Sequence, residues 1–184
     1  MKSFFLLILM LGNLSMYAQM DLNKIVWEKD GKLTWEDFQG TPQKDSKFHA
    51  TTNSGITYSW KISARNNKID LQYEVINYFV VDNSWVVKGS ESEYLLKHEQ
   101  AHFDISEIHA RNLRKKLKEI SLTGIAPKEV SKLLKDLYQV VDQERTEMQL
   151  KFDEDTNHSV NTGVEARWEK YIEFELKKLE AYKS

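Results

Sequence analysis

The sequence contains no cysteine and only two prolines and seven glycines among its 184 residues. Without cysteine, neither a disulfide framework nor a thiolate zinc site can form. The scarcity of proline and glycine leaves little room for a linker, so we expect one domain around one hydrophobic core. The 26 basic and 28 acidic residues provide no basic excess, which argues against nucleic acid as a partner.

The N-terminus has the organisation of a secretory signal peptide. Lys2 precedes an unbroken apolar run at residues 4–11, and Ala18 provides a small residue before Gln19. The run is too short to span a bilayer, and polar sequence follows it. We therefore expect residues 1–18 to be a signal peptide. Residues 19–184 should then form a single exported domain, soluble in the periplasm or outside the cell, with no transmembrane segment after cleavage.

The first half of the chain favours β-strands. Residues 24–28, 55–62 and 69–76 are rich in aromatic and β-branched side chains, and the last two segments alternate apolar and polar residues. Residues 64–68 between them are typical of a hairpin connection. We interpret residues 33–38 as a strand end with a turn, and residues 41–53 as a long polar loop. These patterns predict a mostly antiparallel sheet.

After about residue 90 the apolar period becomes helical. A first helix should begin near Glu91, with Ser90 or Ser92 as its N-cap, and should end near Ile120. A second helix is predicted at residues 128–152 and a third at 162–182, each with an apolar stripe. Strands followed by packed helices indicate an α+β fold, with an N-terminal antiparallel sheet and three helices.

The first helix carries the most informative motif, His98-Glu99-Gln100-Ala101-His102. Histidines four residues apart on a helix differ by about 40° in azimuth and about 6 Å in height, so both imidazoles can reach one ion. Zn²⁺ accepts imidazole nitrogens and, in catalytic sites, keeps one position open for water. Glu99 follows the first histidine, where its carboxylate can accept a proton from that water.

Neither His109 nor Glu107 is a good third ligand. No helix breaker follows His102, so the helix should continue and carry His109 about 10 Å further along its axis. Glu107 should point nearly opposite His98. We interpret both residues as surface, packing or outer-sphere groups.

Two later residues are better candidates for the third ligand. His158 follows the acidic segment at residues 152–157, where the chain can fold back, and would complete a three-histidine site. Asp153 and Asp155 in that segment could orient the imidazoles. Glu144 competes because it falls on the apolar stripe of the second helix, where a carboxylate must be paired or bound. We favour His158 over Glu144.

Several segments together resemble a family of bacterial proteins, predicted to be secreted zinc-dependent proteases and known as domain of unknown function 922. The matching segments are LTWEDFQG at 33–40, ATT at 50–52, GITY at 55–58, Phe79, SWV at 84–86, LLKHEQAHFDI at 95–105 and FDEDTNHS at 152–159. Phe152 departs from the tyrosine usual in that family. The resemblance extends over nearly the whole of residues 19–184. It implies a zincin-like domain, zinc dependence and proteolysis, and it adds support for His158 in the site.

The residues and the resemblance lead to one main hypothesis, a secreted or periplasmic zinc-dependent metallohydrolase acting as a peptidase. His98, His102 and His158 would hold Zn²⁺ and lower the pKa of a bound water toward about 7. Glu99 would be the general base, and an extended peptide substrate could lie along an edge strand of the sheet. The alternative is a non-catalytic binding module of the cell envelope, stabilised by zinc. A metal-free exported scaffold is a third hypothesis.

Overall fold

The computed structural model describes residues 23–65 and 68–184 of the chain. Within these residues an antiparallel sheet precedes three helices, so the expected α+β architecture is confirmed. The expected signal peptide at residues 1–18 lies outside the described residues, as do residues 66–67 of the expected hairpin connection.

The main sheet has three antiparallel strands, β1 (Lys24–Val26), β3 (Ser54–Arg65) and β4 (Lys68–Val80), in the order β1-β4-β3. A second sheet pairs β2 (Ala50–Thr51) with β5 (Trp85–Val86). Strand β2 lies within residues 41–53, which were expected to form a polar loop. The strand was not predicted because a segment of two residues is too short to show an alternating pattern. Residues Trp35–Asp37 form a short 3₁₀ turn, where a strand end with a turn was expected.

The three helices are α1 (Glu93–Glu119), α2 (Pro127–Thr156) and α3 (Thr162–Lys178). Ser92 is the N-cap of α1, since its hydroxyl accepts a hydrogen bond from the Leu95 amide at 3.1 Å. Helix α2 continues four residues beyond its expected end at Phe152. None of the helices in the described residues is long and apolar enough to cross a membrane.

Helix α1 is the central element of the fold. It packs against β3, β4, α2 and α3, so most of its side chains between Leu95 and Leu117 are buried. One core cluster joins Ile56 and Val75 of the sheet to Leu113 of α1 and Leu134 of α2. The helix that carries the His98–His102 motif is therefore held on several sides by the rest of the domain.

Glu107 and His109 are both buried in α1, so the packing interpretation of these residues is confirmed and a surface position is excluded. Glu107 Oε1 accepts hydrogen bonds from Arg111 Nε at 2.9 Å and from Arg114 Nη1 at 3.0 Å. Arg114 also donates to the Val75 carbonyl at 2.9 Å from Nη2. This charged group is therefore structural, because its members are paired with one another and with the sheet backbone.

Burial, with a smaller effect of the Arg145 charge, lowers the pKa of His109 from 6.5 to about 4. Between these values the unfolded chain binds a proton that the folded protein excludes. The folded state therefore has its full stability with respect to His109 above pH 6.5, where this residue is neutral in both states. That stability is lost as the pH falls toward 4, because the unfolded chain then binds a proton that the folded protein does not. We expect the free energy of unfolding to fall by up to about 3 kcal/mol over this range on account of His109.

A His109→Leu variant should lose that part of the acid dependence. Both ring nitrogens of His109 are buried without a hydrogen-bond partner in the described residues, so leucine should be tolerated at pH 7. Urea unfolding at a series of pH values measures the difference between the variant and the wild type. His49→Gln, at an exposed histidine, is the control. Identical acid dependence in the wild type and His109→Leu would contradict this prediction.

Candidate metal centre

The two histidines of the motif lie on one face of α1, as their spacing predicts. His98 is buried and His102 is partly buried, and their Nε2 atoms are 3.3 Å apart. Phe152 of α2 packs against both rings, with ring centroids 4.6 Å from His98 and 5.0 Å from His102. The two imidazoles therefore point their Nε2 atoms toward the same point, beside the C-terminal part of α2.

A carboxylate of α2 completes the group. Asp153 Oδ1 lies 3.2 Å from His98 Nε2 and 3.1 Å from His102 Nε2. In the described residues, His98, His102 and Asp153 are the group of three ligand-type side chains whose donor atoms lie within 4.8 Å of one another. Asp153 was expected to orient an imidazole, but its oxygen faces both Nε2 atoms directly.

The spacing of these three donor atoms fits a tetrahedral metal ion. Zn–N and Zn–O bonds of about 2.0–2.1 Å place neighbouring ligand atoms about 3.3–3.4 Å apart at the tetrahedral angle. The observed separations are 3.1, 3.2 and 3.3 Å. The three atoms therefore already form an approximate face of such a tetrahedron, with its fourth vertex left to another group.

The remaining ring nitrogens are held by hydrogen-bond acceptors. His98 Nδ1 lies 3.1 Å from Glu165 Oε1 of α3. His102 Nδ1 contacts Gln149 Oε1 of α2, and the amide nitrogen of Gln149 donates to the His102 carbonyl at 2.8 Å, which fixes the amide orientation. Each Nδ1 therefore donates to its acceptor, and in the neutral form of each ring Nε2 presents a lone pair.

The charges around the imidazoles favour a cation. Burial alone would lower the pKa of His98, but its hydrogen bonds to Asp153 and Glu165 outweigh burial and raise the pKa to about 9. Burial would also lower the pKa of His102, but Asp153 and the charge of Glu99 together outweigh burial and raise that pKa. Burial would raise the pKa of Asp153, yet the two histidines hold it well below its usual range. Positive charge is thus stabilised at the point where the three side chains meet.

Glu99 is buried beside this group, and its Oε2 has no hydrogen-bond partner among the described residues. Burial raises the pKa of this carboxyl above its usual value. Thr52 directly follows β2, and its hydroxyl donates a hydrogen bond to the backbone carbonyl of Glu99 at 3.0 Å. This hydrogen bond ties the end of β2 to the motif. A buried carboxylate oxygen without a partner is costly, and a proton or a water would relieve that cost. Glu99 is therefore placed to accept a proton.

His158 lies close to the group without joining it. Its Nδ1 is 3.6 Å from Asp153 Oδ1, and its side chain is 48 % exposed. Its ring packs against that of Phe48, with the ring centroids 4.8 Å apart. His158 therefore does not belong to the group of His98, His102 and Asp153, whose donor atoms all lie within 4.8 Å of one another. The ligation of zinc by His158 therefore stays a prediction, with Asp153 now nearer to the two imidazoles.

The turn that carries His158 is strained. Asn157, His158 and Ser159 have positive φ angles of 49°, 52° and 65° in succession. A left-handed conformation costs an L-residue about 1–2 kcal/mol. Hydrogen bonds from the amides of His158 and Asn161 to α2 carbonyls hold the turn, at 2.9 and 2.8 Å. Strain of this kind concentrates at functional sites, where the surrounding structure compensates for it.

Two other predicted residues are not in the group. Glu144 is exposed on α2, so its placement on a core-facing stripe is wrong. Val141 is buried and Met148 is partly buried, whereas Glu144 lies at the edge of the same stripe and is exposed. Asp155 accepts from Lys151 at 2.9 Å and from Trp168 at 3.1 Å, so it orients no imidazole.

Sequence reasoning missed Glu165 and Gln149 altogether. Both come from helices that are distant in sequence from the motif, and neither belongs to a recognisable motif. The one available signal was their position: Glu165 and Gln149 sit near the apolar stripes of α3 and α2, where polar side chains need a partner.

Residues 83–159 match a family described as "Bacterial protein of unknown function (DUF922)". The matched segment covers less than half of the chain, and it includes the His98–His102 motif, Asp153 and His158. The resemblance expected over nearly all of residues 19–184 is thus found over this central part. Neither a curated protein nor a solved structure matches the chain.

The third donor can be tested by replacing Asp153. We expect Asp153→Asn to weaken zinc binding by more than the about 10- to 100-fold typical of outer-sphere partners. Glu144→Gln, at an exposed position on the same helix, should bind zinc as the wild type does. His158→Ala should cause a smaller loss than Asp153→Asn. Competition with a chromogenic chelator measures the three affinities. Loss of binding in His158→Ala alone would instead restore His158 as the third ligand.

Proposed function

We propose that this protein is a zinc-dependent metallohydrolase with a zincin-like metal centre, exported to the periplasm or the medium. The observation that carries the proposal is the group of three donor atoms spaced 3.1–3.3 Å apart beside a buried, unpartnered carboxylate oxygen of Glu99. A structural or accidental histidine pair would not require a base at this position.

His98, His102 and Asp153 are the residues that would hold the ion. Two imidazoles and one carboxylate are a ligand set typical of catalytic zinc, and the absence of cysteine disfavours the usual structural zinc sites. When bound, zinc would supply Lewis acidity, polarising a carbonyl and easing the deprotonation of water.

Glu99 would serve as the general base. Burial raises the pKa of this carboxyl above its usual value, which makes its carboxylate a stronger base that can accept a proton and return it to a leaving group. The position of Thr52 at the Glu99 carbonyl keeps the end of β2 close to this carboxylate. The proton would thus move from water to Glu99 and then to the departing amine.

A peptide is the substrate that best suits this arrangement. Strand β2 precedes Thr52 and has β5 as its strand neighbour in the described part of the chain. An extended peptide could hydrogen-bond to the other edge of β2 and bring its carbonyl to the side of the metal group. We infer a peptidase on this basis.

The alternative of a zinc-stabilised, non-catalytic binding module has one observation in its favour. His158 Nδ1 lies 3.6 Å from Asp153 Oδ1, so a small movement could bring a fourth side chain to the ion. Four protein ligands would leave no position for water or substrate.

Replacement of Glu99 tests the catalytic proposal. We expect Glu99→Gln to lower the rate of peptide hydrolysis by more than about 10²-fold, because the general base is lost. Zinc content should be unchanged, since Glu99 is not one of the three donors. Glu93→Gln, at an exposed position on the same helix, is the matched control and should retain full activity. Hydrolysis by Glu99→Gln at the wild-type rate would exclude this mechanism.

Removal of the metal separates the two candidate functions. For a catalytic site we expect dialysis against EDTA to abolish hydrolysis while circular dichroism and the melting temperature change little. The sheet and three core clusters support the fold without a metal ion. A structural site would lose its tertiary structure on chelation. Cooperative unfolding on addition of EDTA would therefore favour the binding module.

A further inference from the structure

Glu165 connects the third helix to the candidate metal group. It is buried in the first turn of α3, and its Oε1 lies 3.1 Å from His98 Nδ1. Its other oxygen, Oε2, accepts a hydrogen bond from the Tyr94 hydroxyl at 2.6 Å. Tyr94 lies one turn before His98 on α1. The carboxylate is therefore held at both oxygens by residues of the motif helix.

We propose that Glu165 and Tyr94 form a positioning pair, which fixes the His98 imidazole with its Nε2 toward Asp153 and makes α3 part of the metal centre. The inference rests on the proposed metal site. Glu165 lies outside the residues that match the bacterial family, so nothing in that match assigns it a role.

The His98 ring is confined on two sides. The Phe152 ring lies against its face, with a centroid distance of 4.6 Å and an interplanar angle of 23°. Glu165 holds its Nδ1 edge. A carboxylate at Nδ1 selects the tautomer with a free Nε2 and makes that nitrogen a better donor to a metal ion. Rotation of the ring about χ2 would break this hydrogen bond and expose a buried carboxylate to an apolar ring edge.

Tyr94 restrains the carboxylate itself. Its hydroxyl donates to the oxygen that His98 does not use, so the plane of the Glu165 carboxylate is set by two partners on one helix. Burial, the hydrogen bond to Glu165 and the charge of Glu165 raise the pKa of Tyr94 well above its usual value. The phenol therefore remains protonated and continues to donate.

The pair also borders open space. Tyr94 and Glu165 lie in the wall of a cavity of about 960 Å³ between α1 and α3. Shortening Glu165 to alanine would open a path from this cavity to His98 Nδ1. A small carboxylate such as formate could then enter and take the place of the missing side chain. A purely structural role of Glu165 would not be restored in this way.

The chain offers a matched control. Glu169 lies one helical turn after Glu165 on α3, lines the same cavity and is exposed. Its replacement changes the charge of α3 equally but touches neither His98 nor the three metal donors. A difference between variants at 165 and 169 therefore reports on contact with His98, and not on the overall charge of the helix.

The experiment measures zinc affinity of the full chain by competition with a chromogenic chelator. We expect Glu165→Ala to bind zinc about 10- to 100-fold more weakly than the wild type, and Tyr94→Phe to show a smaller loss. Glu169→Gln should bind as the wild type does. Sodium formate should restore the affinity of Glu165→Ala, and should leave the wild type unchanged.

Equal affinities of Glu165→Ala and Glu169→Gln would overturn the inference. Weaker binding that formate does not reverse would also overturn it, because this is the result expected of a merely structural residue. If Glu165→Ala does not fold, Glu165→Leu takes its place, because leucine cannot accept a hydrogen bond from His98 Nδ1, and ¹⁵N NMR of neutral His98 gives the tautomer. A shift away from the Nδ1–H tautomer in Glu165→Leu supports the pair, and an unchanged tautomer contradicts it.

Failure of the proposed function would look different. A wild-type protein that binds no zinc would contradict the metal centre itself, whatever the variants do. The His98 tautomer would then still decide whether Glu165 and Tyr94 position this ring. A wild type that binds zinc, with variants that bind it equally well, would contradict the positioning pair alone.

Discussion

The contact between Asp153 and the two imidazoles is the constraint on which the candidate site depends. One oxygen lies within 3.2 Å of both Nε2 atoms, and it reaches them only because α2 packs along α1 up to its last turn. Phe152, the preceding residue, is fully buried against both rings. The packing of α2 therefore fixes the site, since a helix that ended earlier would release both the apolar support and the carboxylate.

Three carboxylates surround the histidine pair, and their environments separate their roles. Asp153 faces both Nε2 atoms and keeps its charge, which suits a ligand. Glu165 is held by His98 and Tyr94, which suits an orienting group. Glu99 is buried with an oxygen that has no partner in the described residues, and its pKa is raised, which suits a base. The same chemical group, a carboxylate, thus fills three positions because each position differs in burial and in hydrogen bonding.

Local features of the site could be predicted from the sequence, and distant ones could not. The spacing of His98 and His102 is a property of one helix, so it follows from five residues of sequence. Asp153 reaches the same point only because α2 extends to Thr156, and helix ends are the least certain part of a sequence-based prediction. Glu165 depends on the packing of α3 against α1, for which the sequence carries no local pattern. Glu144 was misplaced because it lies at the edge of the apolar stripe of α2, where residue spacing alone does not separate a buried position from an exposed one.

The balance of charge gives a physical reason for a divalent ion. With neutral imidazoles, Asp153, Glu99 and Glu165 would bring three negative charges into a largely buried space, which is costly without compensation. In the metal-free protein, protons supply part of that compensation, as the raised pKa values of His98 and His102 indicate. A divalent cation at the Nε2 atoms would replace those protons and return both imidazoles to the neutral form that ligation requires. The same negative surroundings that raise the pKa of the histidines would therefore attract a divalent cation in competition with protons, provided that the three donors keep the spacing set by α1 and α2.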